Sequence, residues 1–241
     1  KRPEYAVFWA MKWSDLLRVD RRALGHKNAY EYYTWIRESF ARNRPYDQFV
    51  TDILALQGPT KQAPQVNFYR VVGDAGKLAS AVSQIFLGIR IECAQCHHHP
   101  FDRWSQRDYY GMSALFQQVN RKGTTRGELM LAAGDPETKH PRTGQPIYAY
   151  PLGEPMPEKS PPGDRRGVLV NWMTSPQNRW FASNLVNRMW AHFMGRGLVE
   201  PVDDVRDTNP PSNPELMKAL ADHFVASGFD IHQLIRTITA S

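Results

Sequence analysis

Cysteine is almost absent from this chain: Cys93 and Cys96 are the only two in 241 residues. Two thiols cannot build a disulfide framework, a four-cysteine zinc site or a cysteine-ligated iron–sulfur cluster. No apolar run approaches the roughly 18 residues that a membrane-spanning helix needs. There is no basic-then-apolar leader, no internal repeat, no low-complexity segment and no nucleic-acid-binding motif. The net charge of +6 is carried by Lys and Arg spread along the chain, which reads as a solvated basic surface. Steering toward an acidic redox partner or an anionic polymer is the other reading of that charge. What is present is an ordinary globular balance, 41% hydrophobic and 22% charged, with seven Trp and 12% aromatics. That is enough for a core in one large domain or two small ones. The aromatic surplus suits a flat apolar cofactor or simply fills a helical core.

The two cysteines stand in Cys93-Ala94-Gln95-Cys96-His97. Thiols three positions apart reach the two vinyl groups of one porphyrin, and the histidine that follows sits beneath the iron as an axial ligand. One covalent haem c is therefore the expected cofactor, held by Cys93, Cys96 and His97. Two other chemistries use such a pair. A redox disulfide of the thioredoxin kind belongs between a strand and a helix in a βαβ pattern, and no such pattern appears here. A Cys-Cys-His-His zinc site would draw on His97, His98 and His99, but three consecutive histidines cannot all turn toward one ion.

Helical periodicity runs from residue 5 to about 118. Phe8, Trp9, Trp13, Leu16 and Leu17 mark a first helix over Tyr5–Val19. Asn28 with Glu31 predicts a capped second helix, and Pro45 opens a third that Gly58-Pro59 ends. Ala75–Ile89 is predicted as a fourth, leading straight into the cysteine motif, and Ser105 caps a fifth that reaches Val119. Residues 121–163 break the rhythm with Pro136, Pro141, Pro146, Pro151, Pro155, Pro157, Pro161 and Pro162. Glu128–Ala132 and Ile147–Tyr150 flank Pro-Arg-Thr-Gly-Gln-Pro there and predict a small β-hairpin. After Asp164 helices return, the strongest over Asn178–Gly195, with later caps at Ser212 and Asp230. The expected fold is mainly α, with two helical subdomains joined by a Pro-rich segment holding a small β-hairpin. The boundaries are 1–120, 121–163 and 164–241, with the first domain cut short at its start and the second at its end.

The stretch Phe86-Leu87-Gly88-Ile89-Arg90-Ile91-Glu92 before the cysteines, and His98-His99-Pro100-Phe101-Asp102-Arg103-Trp104 after them, resemble the signature of a planctomycete cytochrome-C-like domain of unknown function. Asp108-Tyr109-Tyr110-Gly111 fits it as well. Asp164-Arg165-Arg166, Asn187-Arg188-Met189-Trp190-Ala191-His192, Gly195-Arg196-Gly197-Leu198-Val199 and Asn209-Pro210-Pro211-Ser212-Asn213-Pro214-Glu215-Leu216 resemble the planctomycete-specific domain of unknown function that usually follows. The resemblance covers nearly the whole chain and implies a large exported multidomain protein, often with a further cytochrome-c-like domain upstream. His98 departs from the pattern, which often carries another polar residue there; His97 does not.

The iron's second side needs a ligand, water or an open site. Asn184, Arg188 and His192 recur every four residues on one face of the predicted 178–195 helix. That spacing selects His192 as the second iron ligand and Arg188 as the partner of a haem propionate, with a domain-contact or solvent-facing stripe as the competing reading. Met112 and Met194 are the alternative ligands. Asp102 either holds a histidine ring or caps the turn to Trp104, and Asp203, Asp204 and Asp207 form an acidic loop. The function expected is single-electron transfer by an exported or periplasmic c-type cytochrome, a fragment whose leader lies outside it. The partner is a redox protein or an upstream cytochrome domain, with no nucleic acid and no membrane span. A peroxidase-like haem enzyme, and a haem-free structural or polysaccharide-binding module, are the rival functions.

Overall fold

The computed structural model describes residues 2–125 and 127–240, and helices dominate it. Pro3, its φ already helical, opens α1 (Pro3–Leu16), which buries Ala6, Trp9, Ala10 and Trp13. Asp20 caps α2 (Arg21–Ala41) by accepting from Arg22 N. Gly25 interrupts this helix with φ 77° and ψ 160°. Asn28 is therefore not the cap expected of it. It lies inside α2, where its amide donates to Leu24 O at 2.9 Å.

The chain continues through α3 (Tyr46–Ala55), α4 (Phe68–Val72) and α5 (Ala75–Val82). A capping box starts α6 (Gln106–Ala114): Asp108 N donates to Ser105 Oγ at 3.2 Å, and Ser105 N to Asp108 Oδ2 at 2.7 Å. The helix stops at Ala114 rather than Val119.

Val119 instead starts a strand. A three-stranded antiparallel sheet has the order β1 (Gly58–Pro59), β3 (Gly127–Ala132), β2 (Val119–Thr124), with Val119 opposite Ala132. β4 (Thr138–Lys139) pairs with β5 (Pro146–Ile147). Glu128–Ala132 is a strand as predicted, but its neighbours are β2 and β1 rather than the Ile147 segment. The reason is burial: β2 is exposed along nearly its whole length, so no apolar alternation marks it in the sequence.

The second helical stretch comprises α7 (Arg165–Met173), α8 (Phe181–Met194), α9 (Pro214–Ala226) and α10 (Ile231–Thr239). Asn213, not Ser212, caps α9 by accepting from Leu216 N at 3.0 Å, and Pro214 takes the first helical position. Asp230 caps α10 as expected. No described helix is long and apolar enough to cross a membrane.

One hydrophobic cluster runs from Ala6 of α1 to Ile238 of α10, so both helical stretches share a core. Its spine is aromatic. Trp13 stacks on Phe86 with centroids 6.3 Å apart and meets Phe49 edge-on at 5.4 Å. Tyr46 of α3 stacks on Phe181 of α8 at 4.8 Å. Such pairs add about 0.5–1.5 kcal/mol each beyond their area burial.

The Asp164-Arg165-Arg166 triplet stitches the two stretches together. Asp164 caps α7 and takes both arms of Arg166, at 2.9 and 2.7 Å, and Gln57 donates to the same carboxylate at 3.0 Å. Arg166 is fully buried, with its guanidinium over the Tyr69 ring. Arg165 is buried beside it and donates to Pro136 O and the Asp135 carboxylate. Burial pushes the Asp164 carboxyl up, but the hydrogen bonds and charge of Arg166 outweigh this and hold it below the ordinary 3.8.

Asp164→Ala strands Arg166 as a buried cation. Urea unfolding should show a loss of about 3 kcal/mol or more, with Asp164→Ala/Arg166→Met recovering part of it. In the wild type, Asp164's contribution is present at neutral pH and is lost as pH falls through its lowered folded-state pKa, so Asp164→Asn should flatten acid unfolding.

Candidate functional site

The cysteine motif hangs from a helix end that does not close normally. Beyond Val82 the helix widens into a π-helical turn over Ser83–Leu87, and Gly88 ends it in the left-handed region with φ 70°. Ile89 N donates to Ser83 O at 3.0 Å, which leaves the carbonyls of Gln84, Ile85 and Gly88 in need of partners from elsewhere.

The loop after α8 and α8 itself provide those partners. Asn184, fully buried, donates to Ile85 O at 2.8 Å, Arg188 Nη2 to Gln84 O at 3.0 Å, and Val205 N to Gly88 O at 2.7 Å. Asp203 accepts from Gln84 Nε2 at 2.6 Å and from Arg90. A Cβ on Gly88 would lie 2.8 Å from Asn184 Oδ1 and 2.9 Å from Val205 Cγ2, so only glycine fits there.

From Gly88 the chain alternates anchors with exposed groups. Ile89, Ile91 and Ala94 are buried, whereas Cys93 and Cys96 are exposed and unbonded to each other. Glu92–Gln95 forms a single 3₁₀ turn that brings positions three apart to one side. On its inner side, Gln95 O accepts from Gln106 Nε2 of α6 at 2.7 Å and from the Tyr110 hydroxyl at 3.4 Å. Burial, and then the nearby Cys96, push the Tyr110 phenol up.

His97 is exposed, and its Nδ1 lies 2.6 Å from His98 O, the geometry of an Nδ1–H donating to a carbonyl. In that arrangement Nε2 is the ring nitrogen left for other partners. His99 faces the loop instead. Its Nδ1 accepts from Phe101 N at 3.3 Å, and its backbone N donates to Trp104 O at 2.8 Å. Asp102 Oδ1 accepts from Arg103 N at 2.8 Å and so serves the turn rather than a histidine ring.

The far end of the loop is clasped by residues 179–208. The Arg103 guanidinium lies over both Trp104 (4.7 Å) and Trp180 (5.4 Å). Thr208 Oγ1 donates to Phe101 O at 2.8 Å, and Arg206 lies over the exposed Phe101 ring at 5.6 Å. The acidic loop is thus a set of ion pairs rather than a cluster: Asp203 with Arg90, Asp204 with Arg206, Asp207 with Arg179.

The Asn184–Arg188–His192 stripe is divided between tasks. Asn184 and Arg188 Nη2 each donate to a backbone carbonyl of the π-turn, so Arg188 joins the two helical stretches. His192 packs on α1 and its own helix, 5.3 Å from Phe8, 5.1 Å from Trp9 and 4.9 Å from Phe193. None of these neighbours belongs to the cysteine loop. Met112 is fully buried in the core, and Met194 is exposed at the end of α8. Among the described residues, no group of three or more His, Cys, Asp or Glu is arranged to hold a metal ion, so the Cys-Cys-His-His zinc set is not assembled.

Sequence reading missed the clasp: Gln84, Arg90, Thr208, the Arg103–Trp180 stack, and the partners of Asp203, which it had placed only in an acidic loop. Its visible signals are the cation Arg90, three residues before Cys93, and the acidic loop at Asp203.

The fold and site together define a mainly helical protein that presents a dithiol–histidine loop held between two helical stretches. The chain belongs to the family described as PSCyt2, protein of unknown function DUF1549, whose sequence pattern matches residues 1–121. Residues 165–241 match a second pattern, PSD1, protein of unknown function DUF1553. No curated protein and no solved structure matches the chain.

The clasp should be acid-labile. Burial pushes the Asp203 carboxyl up, but hydrogen bonds from Arg90 and Gln84 and the charges of Arg90 and Arg188 hold it below 3.8. Its contribution is present at neutral pH and lost as pH falls through that lowered value. Asp203→Asn should raise amide exchange across residues 84–91 at pH 7, and the wild type should approach the mutant's rates only in acid. Equal rates in both proteins at neutral pH would remove Asp203 from the clasp.

Proposed function

We propose that Cys93, Cys96 and His97 hold one covalent haem c and that the protein carries single electrons. Cys93 and Cys96 would hold the group through thioether bonds, and His97 would ligate its iron. The haem supplies an iron that cycles between the ferrous and ferric states; the chain supplies attachment, ligation and access.

The observation that carries this reading is the state of the three side chains. Both thiols are free and exposed, Cys93 in the 3₁₀ turn and Cys96 at its end, and His97 is exposed with Nδ1 engaged by His98 O, which leaves Nε2 as its other ring nitrogen. A ligating histidine ordinarily has its second nitrogen tied in this way. The donor set therefore fits the group. The loop that carries it is pinned at Gln95 O, Gly88 O and Phe101 O, which limits reorganisation when the iron changes charge.

His192 has no part in this assignment, because its ring is held against Phe8 and Trp9. Arg188 acts from below, by fixing the helix end from which the loop departs. Covalent haem is attached outside the cytoplasm, so the reading carries an exported location with it. The net charge of +6 favours an acidic redox partner, or an upstream cytochrome domain, as the other party.

Expression in the periplasm with the c-type maturation system tests the reading. The wild type should give a c-type pyridine haemochrome and retain haem stain on a denaturing gel, whereas Cys93→Ser/Cys96→Ser should give neither. His97→Ala should keep the thioethers but shift the Soret band. Folded, exported wild-type protein without covalent haem would overturn the proposal and leave a haem-free binding module. Covalent haem with five-coordinate, high-spin iron that binds small ligands would replace electron transfer by peroxidase-type chemistry.

A further inference from the structure

A cavity of about 430 Å³ lies between α1 and α8, and no residue of 88–104 lines it. Its walls are largely apolar: Trp9, Trp13, Leu16, Leu185 and Met189. Four polar side chains interrupt them, Lys12, Asp15, Arg188 and His192. Apolar walls with a few polar groups are the usual make-up of a small-molecule site, and the volume lies within the usual range of roughly 300–1,000 Å³.

Arg188 decides what such a molecule would be. Only part of its hydrogen-bonding capacity is met: Nη2 donates to Gln84 O at 3.0 Å, while Nε is buried with no partner. Asp203, whose charge reaches it, gives one oxygen to Arg90 and the other to Gln84. Among the described residues, no carboxylate stands within ion-pairing distance of Arg188. A guanidinium does not shed its proton to relieve burial, so a half-buried cation borders the cavity with no direct ion pair, its nearest opposite charge being the Asp203 carboxylate already bonded to Arg90 and Gln84.

The rest of the polar lining is one base, one acid and one imidazole. Lys12 adds a second positive charge at the exposed rim. Burial, and then Lys12, push the His192 imidazole down, so at neutral pH it offers a ring N–H without a charge. Asp15 is the single acid in the wall and is exposed.

We propose that this cavity binds a small apolar carboxylate, with the acid group on Arg188 and the hydrocarbon body against Trp9 and Trp13. The planar guanidinium matches a carboxylate two-to-two, and the apolar walls would cover one side of the body. A polyhydroxylated or highly charged ligand would leave its polar groups unpaired on these walls. The site is independent of the haem reading and stands or falls without it.

Isothermal titration, with tryptophan fluorescence as a second readout, tests the site in the full chain. The probes are naphthalene-2-carboxylate and octanoate, with 2-naphthalenemethanol and octanol as uncharged counterparts. At least one acid should bind saturably with one-to-one stoichiometry, about tenfold or more tighter than its alcohol. Whichever acid wins distinguishes an aromatic from an aliphatic ligand. Arg188→Lys should weaken binding about tenfold, since an ammonium cannot form the bidentate pair. Ala191 also lines the cavity; Ala191→Phe fills it while leaving Arg188 in place, and should abolish binding with the thermal midpoint preserved. The proposal is overturned if neither acid binds saturably, if the alcohol binds as well as its acid, or if Ala191→Phe binds as the wild type does.

Discussion

The helix end at Ser83–Gly88 is the constraint on which the rest of the site depends. A π-turn shifts the backbone hydrogen-bond register and leaves carbonyls facing the wrong way for the helix to satisfy. An unpaired buried carbonyl costs on the order of 1–3 kcal/mol, so these groups dictate what must pack beside them. Asn184, Arg188 and Val205 meet that demand, and all three come from the part of the chain beyond residue 164. The first helical stretch therefore cannot present its cysteine loop in this geometry without the second. That explains in physical terms why two differently matched segments share one hydrophobic cluster instead of forming two.

The same logic accounts for the short motifs. Gly88 is required twice over, by its left-handed backbone and by the approach of Asn184 and Val205. Asp164-Arg165-Arg166 serves as a buried joint: the acid caps α7 and holds Arg166, whose guanidinium lies on Tyr69, while Arg165 reaches the Pro-rich segment. Tyr69 in turn donates to Leu54 O at the end of α3. A chain of contacts runs from the second stretch through the joint into the first, parallel to the clasp at the cysteine loop.

Much of the fold was legible because the helices announce themselves locally. Ser105 and Asp230 carry their cap signals locally, and the structure uses both. Where reading went astray, a competing local signal stood close by. Asn28 followed a glycine break it could not outvote, and Ser212 sat one residue before the better-placed Asn213-Pro214. The pairing of β3 with β2 was hidden because β2 buries almost nothing. The cysteine loop was legible for the opposite reason, since Cys93, Cys96 and His97 are contiguous. Its support was not: Arg90 and Asp203 are 113 residues apart and Asn184 and Ile85 are 99 apart, and no periodicity in one sequence reports such pairs.

Arg188 shows why reading chemistry from a polar stripe needs the fold. Spacing every four residues says that Asn184, Arg188 and His192 share a helix face, and it says nothing of what that face meets. The face crosses a boundary: its first turn caps a foreign helix end, its last turn leans on α1, and Arg188 sits between the two. One arm of the guanidinium is fixed on Gln84 O, while the residue also lines the cavity between α1 and α8. An anion drawn to Arg188 from the cavity side would polarise the hydrogen bond on the other. That carbonyl belongs to the turn from which the cysteine loop departs, so the side chain that lines the cavity also supports that turn.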